Sequence, residues 1–306
     1  ATTYFTLLGA QDNLAFVRAD KLALTRTLDQ ARQRFEVGLA AITDSLKAQA
    51  AYDISVSDEI SAEQLLADSR EALRELTGKL PDQPAILQAD IPLVSPEPAE
   101  EEEWVTAASE QNPLVLAARA AATTAREEVR VQRSGHLPTL DATASYSYRD
   151  SNFSGVIPLE RDDSAVGLEL NLPLYQGGLI TSQTRQSRHL YNQAMEEQAR
   201  QQRAIERQTR DNYRGVISGI SRVNALARAI QSKEKAFEAA QAGFDVGTRD
   251  IVDVLDAQRE LLRARRDHAR SRYDYLLDTL RLKQAAGILQ ESDLAQVNEW
   301  LTDKDT

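Results

Sequence analysis

The 306-residue chain contains no cysteine. This removes disulfides, thiolate metal sites and a cysteine nucleophile, and leaves the compartment open. Proline (9) and glycine (13) are scarce, which excludes collagen-like and low-complexity chains. Aromatics make up only 6%, low for an all-β sandwich. No apolar run approaches 18 residues, so no transmembrane helix is expected. Ala1-Thr2-Thr3-Tyr4-Phe5 lacks the basic and apolar regions of a signal peptide. That fits a mature chain, a cytosolic chain or a fragment. Positive charge is in deficit: Lys and Arg total 36 against 47 Asp and Glu, for a net charge of −11. An acidic chain of this kind is poorly suited to neutralising phosphate, so no nucleic-acid partner is expected. What is present, 42% hydrophobic and 27% charged residues, is enough for a core.

Catalytic chemistry is also missing. His136, His189 and His268 are widely separated and have no second ligand at metal spacing. There is no Gly-x-Ser-x-Gly, phosphate loop or HExxH. Asp253 and Asp256 are paired carboxylates without a nucleophile beside them. No catalytic, cofactor-binding or metal-binding residue is assigned, and an enzyme is the weakest reading.

An internal repeat sets the organisation. Residues 35–49, FEVGLAAITDSLKAQ, match residues 244–258, FDVGTRDIVDVLDAQ, at eight of fifteen positions with a constant offset of 209. The same offset pairs Tyr4 with Tyr213, Leu73 with Leu282, Gly78 with Gly287 and Leu80 with Leu289. A helix, a hairpin and a long helix (104–243) precede the second turn, but only about 34 residues precede the first. The arithmetic predicts that roughly 100 residues belong ahead of this chain.

Helices dominate the expectation. Residues 1–36 read as one amphipathic helix stopped near Gly38, and 41–77 as a second ended by Thr77-Gly78 and Pro81. Five prolines and the Glu100–Glu103 run mark 81–103 as an irregular linker, with the acids placed for the next helix's positive end. Asn112-Pro113 opens a helix to about Ser134-Gly135. From Gly178 to about Ala242 a single helix of about 65 residues, ~100 Å, is predicted. Beyond it, Val254, Leu261, His268, Tyr275 and Leu282 recur every seven residues. So do Leu255, Leu262, Ala269, Leu276 and Lys283. Two adjacent seams of period 3.5 imply coiled-coil packing on two sides, as in the staves of a tube.

Two segments alternate with period two. In 139–149, Leu140, Ala142, Ala144, Tyr146 and Tyr148 share a face; in 165–174, Val166, Leu168, Leu170, Leu172 and Leu174 do. Each is long enough to cross a bilayer at a tilt, with 150–164 as a polar connector. Tyr146, Tyr148, Phe153 and Tyr175 suit the membrane interfaces. Pro138 and Pro173 mark strand ends, and Gly177-Gly178 turns strand into helix. An ordinary half-buried soluble hairpin has the same pattern. However, an isolated hairpin is not stable, and the neighbouring helices are too long to cover it.

The segments GHLPTLDATASY, LNLPLYQGGLITSQ, RFEVGLAAITD and FDVGTRDIVDVLDAQRELL resemble the TolC family of outer-membrane efflux and secretion channels, in order, from Tyr4 to about Leu294. The resemblance implies a mainly α fold with a small β part. Long coiled-coil helices would form a trimeric α-helical tube, and β-hairpins a 12-strand outer-membrane barrel with four strands from each subunit. This chain has one hairpin, so it is read as lacking the first hairpin and the helix ahead of it. The organisation then becomes 1–80, first-repeat helical hairpin of the tube; 81–111, equatorial or linker segment; and 112–138, tube helix. Residues 139–175 are the membrane hairpin; 176–286, the second-repeat helices with a periplasmic turn near 244–250; and 287–306, an equatorial C-terminal segment.

The resemblance also assigns sites. The Val-Gly turns at Gly38 and Gly247 become the periplasmic tip, where the channel is gated. Arg249 would reach Thr43 and Asp44 across the tip. The family's tyrosine that also reaches the aspartate is replaced here by Phe244, which has no hydroxyl. Asp253 and Asp256 match the acidic ring at the entrance, where three copies supply six aspartates and attract cations. The implied activity is passive export of small molecules or type I secreted proteins from a Gram-negative cell. The implied partners are two further copies, outer-membrane lipid, a periplasmic adaptor, and an inner-membrane efflux pump or ABC transporter. The alternative is a soluble or periplasmic coiled-coil scaffold or adaptor.

Overall fold

The computed structural model describes residues 1–79, 84–88, 90–151 and 159–302. They divide into two compact units. The first comprises Ala1–Asn112 and Glu206–Thr306, and the second Pro113–Ile205.

In the first unit, α1 (Thr2–Glu36) and α2 (Ile42–Thr77) form an antiparallel pair. A two-residue strand β1 (Ile86–Leu87) and helix α3 (Glu101–Gln111) follow. Glu101, Glu102 and Glu103 occupy the first turn of α3, where the helix dipole favours acids. After the second unit come the C-terminal part of α5 (Leu179–Asp245), α6 (Ile251–Ala286), α7 (Glu291–Glu299) and β4 (Leu301–Thr302). β4 pairs antiparallel with β1.

The repeat is realised residue for residue. α2 and α6 are both 36 residues long, and their bounds differ by 209 at each end. The preceding turns share one hydrogen-bond pattern. Gly38 and Leu39 donate to the carbonyls of Phe35 and Arg34, and Gly247 and Thr248 to those of Phe244 and Gly243. Gly38 (φ 76°) and Gly247 (φ 78°) are left-handed, a conformation that costs other residues about 1 kcal/mol or more.

Packing along α1 and α2 has heptad spacing: Leu7, Ala10, Leu14 and Val17 meet Ala62, Leu66 and Leu73. Both seams of α6 are used. Val254, Leu261, Tyr275 and Leu282 are buried on one, and Leu255, Ala269 and Leu276 on the other. The largest core gathers Phe5, Leu8, Leu87, Trp104, Val216, Tyr273, Tyr275 and Leu276. It joins α1, α3, α5 and α6 beneath residues 84–104.

This strap is tied by side chains to main-chain carbonyls. Tyr4 Oη donates to Ala85 O (3.0 Å), and its repeat equivalent Tyr213 donates to Ala99 O. Tyr275 Oη accepts from Val94 N (2.8 Å) and donates to Val94 O (3.1 Å). Trp104 Nε1 donates to Pro98 O (2.8 Å). Asn112, expected to open the next helix, is also the C-cap of α3, and its buried amide donates to Ala285 O (2.8 Å).

The second unit holds α4 (Pro113–Ser134), β2 (Thr139–Ser151), β3 (Leu159–Asn171) and the first part of α5. β2 and β3 pair antiparallel over thirteen rungs, from Thr139 opposite Asn171 to Ser151 opposite Leu159. The strand limits correct the sequence reading. β2 runs past Arg149, β3 starts at Leu159 rather than Ala165, and the pairing takes in both ends of the expected polar connector. Backbone pairing continues where apolar alternation stops, because the ladder satisfies N–H and C=O groups whatever the side chains. Leu172, Pro173 and Leu174 lie outside β3: β2 begins only at Thr139, after Pro138, and Pro173 has no N–H to donate. Phe153 lies outside the described residues. Gly177 and Gly178 have φ of 59° and 82° and precede α5 directly.

The C-caps Gly78 and Gly287 are both left-handed, yet a Cβ at Gly78 meets open space whereas one at Gly287 falls 2.6 Å from Gln111 O. Gly78→Ala is therefore expected to cost about 1 kcal/mol, and Gly287→Ala roughly 1–3 kcal/mol more, because backbone must shift. Urea titration of the two variants checks the difference; equal midpoints would contradict it.

Candidate periplasmic gate and membrane hairpin

Both repeat turns lie in the first unit. Around the second, Phe244 is buried with Ala240, Ile251, Val254, Leu255 and Leu24 of α1. Its ring therefore packs in an apolar cluster. The guanidinium of Arg34, in the last turn of α1, lies 4.5 Å from the Phe244 ring centroid. Arg34 Nη1 also donates to Phe244 O (2.9 Å). One turn earlier, Gln30 Nε2 donates to Asp245 Oδ1 (2.8 Å), and Gln241 Nε2 donates to the same carboxylate oxygen (3.2 Å).

Arg249 is exposed, and its aliphatic stem lies over Gly243 of its own turn; a Cβ there would sit 3.0 Å from Arg249 Cγ and Cδ. Thr43 is exposed and Asp44 half-buried in the first turn of α2. Among the described residues, no hydrogen bond or ion pair within the chain joins Arg249 to either. Asp253 and Asp256 are both exposed on α6. Asp256 accepts from Arg259 Nη1 (2.8 Å), and Glu260 of the same face pairs with Lys233. Asp250 caps α6 by accepting from the N–H groups of Val252 (2.7 Å) and Asp253 (3.1 Å).

Two further rungs join α1 to α6. Tyr273 Oη donates to Asp12 Oδ2 (2.6 Å), and Gln258 Nε2 donates to Asp20 Oδ1 (2.7 Å). Burial pushes both carboxyls above the usual aspartate value; at Asp12 the Tyr273 hydroxyl and the Arg272 charge oppose the rise. At Asp20 the Gln258 amide and Arg259 oppose it, while Asp58 adds to it. The Tyr273 hydroxyl is itself raised, first by burial and then by its bond to Asp12.

These contacts were not read from the sequence. One signal was available. Arg34 and Ala40 of the first turn correspond to Gly243 and Arg249 of the second. Each turn carries one arginine, at opposite positions.

In the second unit, Leu140, Ala142 and Ala144 stand opposite Leu170, Leu168 and Val166. This apolar face is uncovered: Leu168 is 76% and Val166 87% exposed, and Tyr146, Tyr148 and Tyr175 are also exposed. No helix among the described residues is long and apolar enough to cross a membrane. None of the described residues forms a cluster of His, Cys, Asp and Glu able to hold a metal ion.

The raised Asp12 and Asp20 carboxyls give a pH prediction. Their ionised forms are the costly ones in the folded chain. The cost is present at neutral pH, shrinks as pH falls through the raised folded values and vanishes below the ordinary value near 3.8. Asp12→Asn and Asp20→Asn keep an oxygen acceptor and remove the charge. Each is expected to raise the urea midpoint near about pH 7 and to lose that advantage near about pH 4; an advantage that does not vary with pH would contradict the assignment.

Comparison with known proteins agrees with this architecture. The family model described as outer membrane efflux protein matches residues 1–79 and 104–288. The outer membrane protein TolC of Vibrio cholerae serotype O1 is 41% identical over 304 residues, covering 98% of this chain and 69% of that protein. TolC of Escherichia coli K12 is 38% identical, covering 99% of this chain and 63% of that protein. The chain thus spans about two thirds of the length of these relatives. The crystal structure of VceC from Vibrio cholerae superposes with a TM-score of 0.77 at 22% identity, over 94% of this chain and 68% of that one, and so shares its fold. These matches place the chain in the outer membrane efflux protein family, alongside the TolC proteins.

Proposed function

We propose that the chain is the gate-bearing part, together with one membrane hairpin, of a passive outer-membrane export channel. The observation that carries this reading is the uncovered apolar row of the β2–β3 pair. A two-stranded ladder with one apolar face needs lipid or protein on that face and further strands at its edges. A closed barrel in a bilayer supplies both. A coiled-coil scaffold would leave the row without a role.

The repeat supports assembly with further copies. Ile42 and Leu46 of α2 are 53% and 62% exposed, whereas their equivalents Ile251 and Leu255 are 0% and 7% exposed. Positions covered by α1 and α5 in the second copy of the repeat stand open in the first. A neighbouring subunit covering α2 in the same manner gives the homotrimer of the family. The channel binds no cofactor and performs no reaction. Energy comes from an inner-membrane efflux pump or ABC transporter, joined through a periplasmic adaptor that opens the tip. The cargo is small molecules, type I secreted proteins or both.

At the tip, Thr43, Asp44, Phe244 and Arg249 form the gate, with Gly38 and Gly247 fixing the turns. Asp253 and Asp256 line the entrance. Exposed ion pairs hold such a gate by about 0–1 kcal/mol each, weak enough for a partner to open. In the complete protein in planar bilayers, Arg249→Ala is expected to raise conductance. Unchanged conductance removes Arg249 from the gate. Asp253→Ala combined with Asp256→Ala is expected to weaken block by a trivalent cation by at least about tenfold. Intact block would take both residues out of the entrance.

A further inference from the structure

We infer that Arg34 is a positioning residue of the gate, clamping the second repeat turn to the first through Phe244. The inference rests on the channel reading above. Arg34 is in the last turn of α1, three residues before Val37 of the first turn; Phe244 is in the last turn of α5, two residues before Val246 of the second turn. The guanidinium makes two kinds of contact with a single residue: its central carbon lies over the ring, 4.5 Å from the centroid, and one N–H reaches the main-chain oxygen at 2.9 Å. The ring face attracts the cation, and the C-terminal carbonyls of α5 present the negative end of that helix. Gln30 to Asp245 adds a second tie one turn away.

The ring is fixed from beneath. Phe244 is 4% exposed and packs on Ile251, Val254 and Leu24. A tyrosine here could use its hydroxyl as a tether; this chain has only a ring face and a carbonyl to offer, and Arg34 binds both. The repeat explains why the clamp runs in one direction. The equivalent of Arg34 is Gly243, which has no side chain to reach back, and the space above it is filled by the stem of Arg249. Separating the α1–α2 pair from the α5–α6 pair at their turns must remove Arg34 from Phe244. Rotation of the two pairs about this contact need not.

The test is single-channel conductance of the complete protein in planar bilayers, with trimer stability in detergent as the folding control. Arg34→Ala is expected to raise the open-time-weighted conductance about two- to fivefold, the range for losing one partly exposed cation–ring contact. Arg34→Lys, which keeps the charge without the planar fork, should recover only part of the closed behaviour. Phe244→Leu should reduce the effect of Arg34→Ala, because it removes the ring face and leaves only the main-chain oxygen for Arg34 to hold. A parental-type pore with Arg34→Ala conductance unchanged, in a trimer of parental stability, overturns the clamp and leaves the channel reading standing. A folded trimer that forms no pore in any variant overturns the channel reading instead.

Discussion

The burial of α6 is the constraint on which the helical unit depends. From Ile251 to Ala286 this helix presents two heptad seams, and both are filled, by α5 and α1 near the turns and by α1, α3 and the strap further along. Its sister α2 has the same length and the same bounding glycines but leaves Ile42 and Leu46 exposed where α6 buries Ile251 and Leu255. Two helices of common design therefore stand in different states of completion. A surface of that kind is closed by repetition of the same packing, and each added copy leaves one open side until a ring forms. The hairpin is unfinished in the same sense: its two edges lack partner strands and its apolar row lacks a cover.

The contacts between the two repeat copies differ in kind along α1. At Tyr273 and Gln258 the carboxylates of Asp12 and Asp20 are partly buried and hydrogen-bonded. At the turns the contacts are a cation over a ring and an amide to an exposed carboxylate. Breaking a partly buried polar pair strands a desolvated group, whereas the Gln30–Asp245 tie is exposed and readily replaced by water. The rungs thus tie the body of α1 to α6 away from the turns. The strap adds to the anchored end. Tyr4 and Tyr213, equivalent residues of the two copies, both donate to its carbonyls and hold the starts of α1 and of the α5 segment to one chain.

Much of this was legible in the sequence, for a physical reason. A left-handed residue is encoded by glycine, so Gly38, Gly78, Gly247 and Gly287 announced both turns and both helix ends to the residue. Heptads announced the seams of α6. Alternation announced the hairpin but misplaced its limits, because pairing depends on the backbone and runs on through Arg149–Ser151 and Leu159–Ser164, where the side-chain pattern fades. Arg34 escaped notice because its partner lies 210 residues away and half of the bond is to a main-chain oxygen, which every residue has. The exchange of arginine and small residue between the two turns was the only trace. The missing hydroxyl of Phe244 is visible in the sequence; that its ring and carbonyl both meet Arg34 is visible only in the fold.

The central claim is that this chain belongs to a water-filled, cation-favouring conduit across a membrane. The most direct test is the reversal potential of the complete protein in a planar bilayer under a potassium chloride gradient. The account predicts discrete single-channel currents with a reversal potential displaced toward that of potassium. A folded, trimeric protein that passes no current, or a pore that favours chloride, would contradict it.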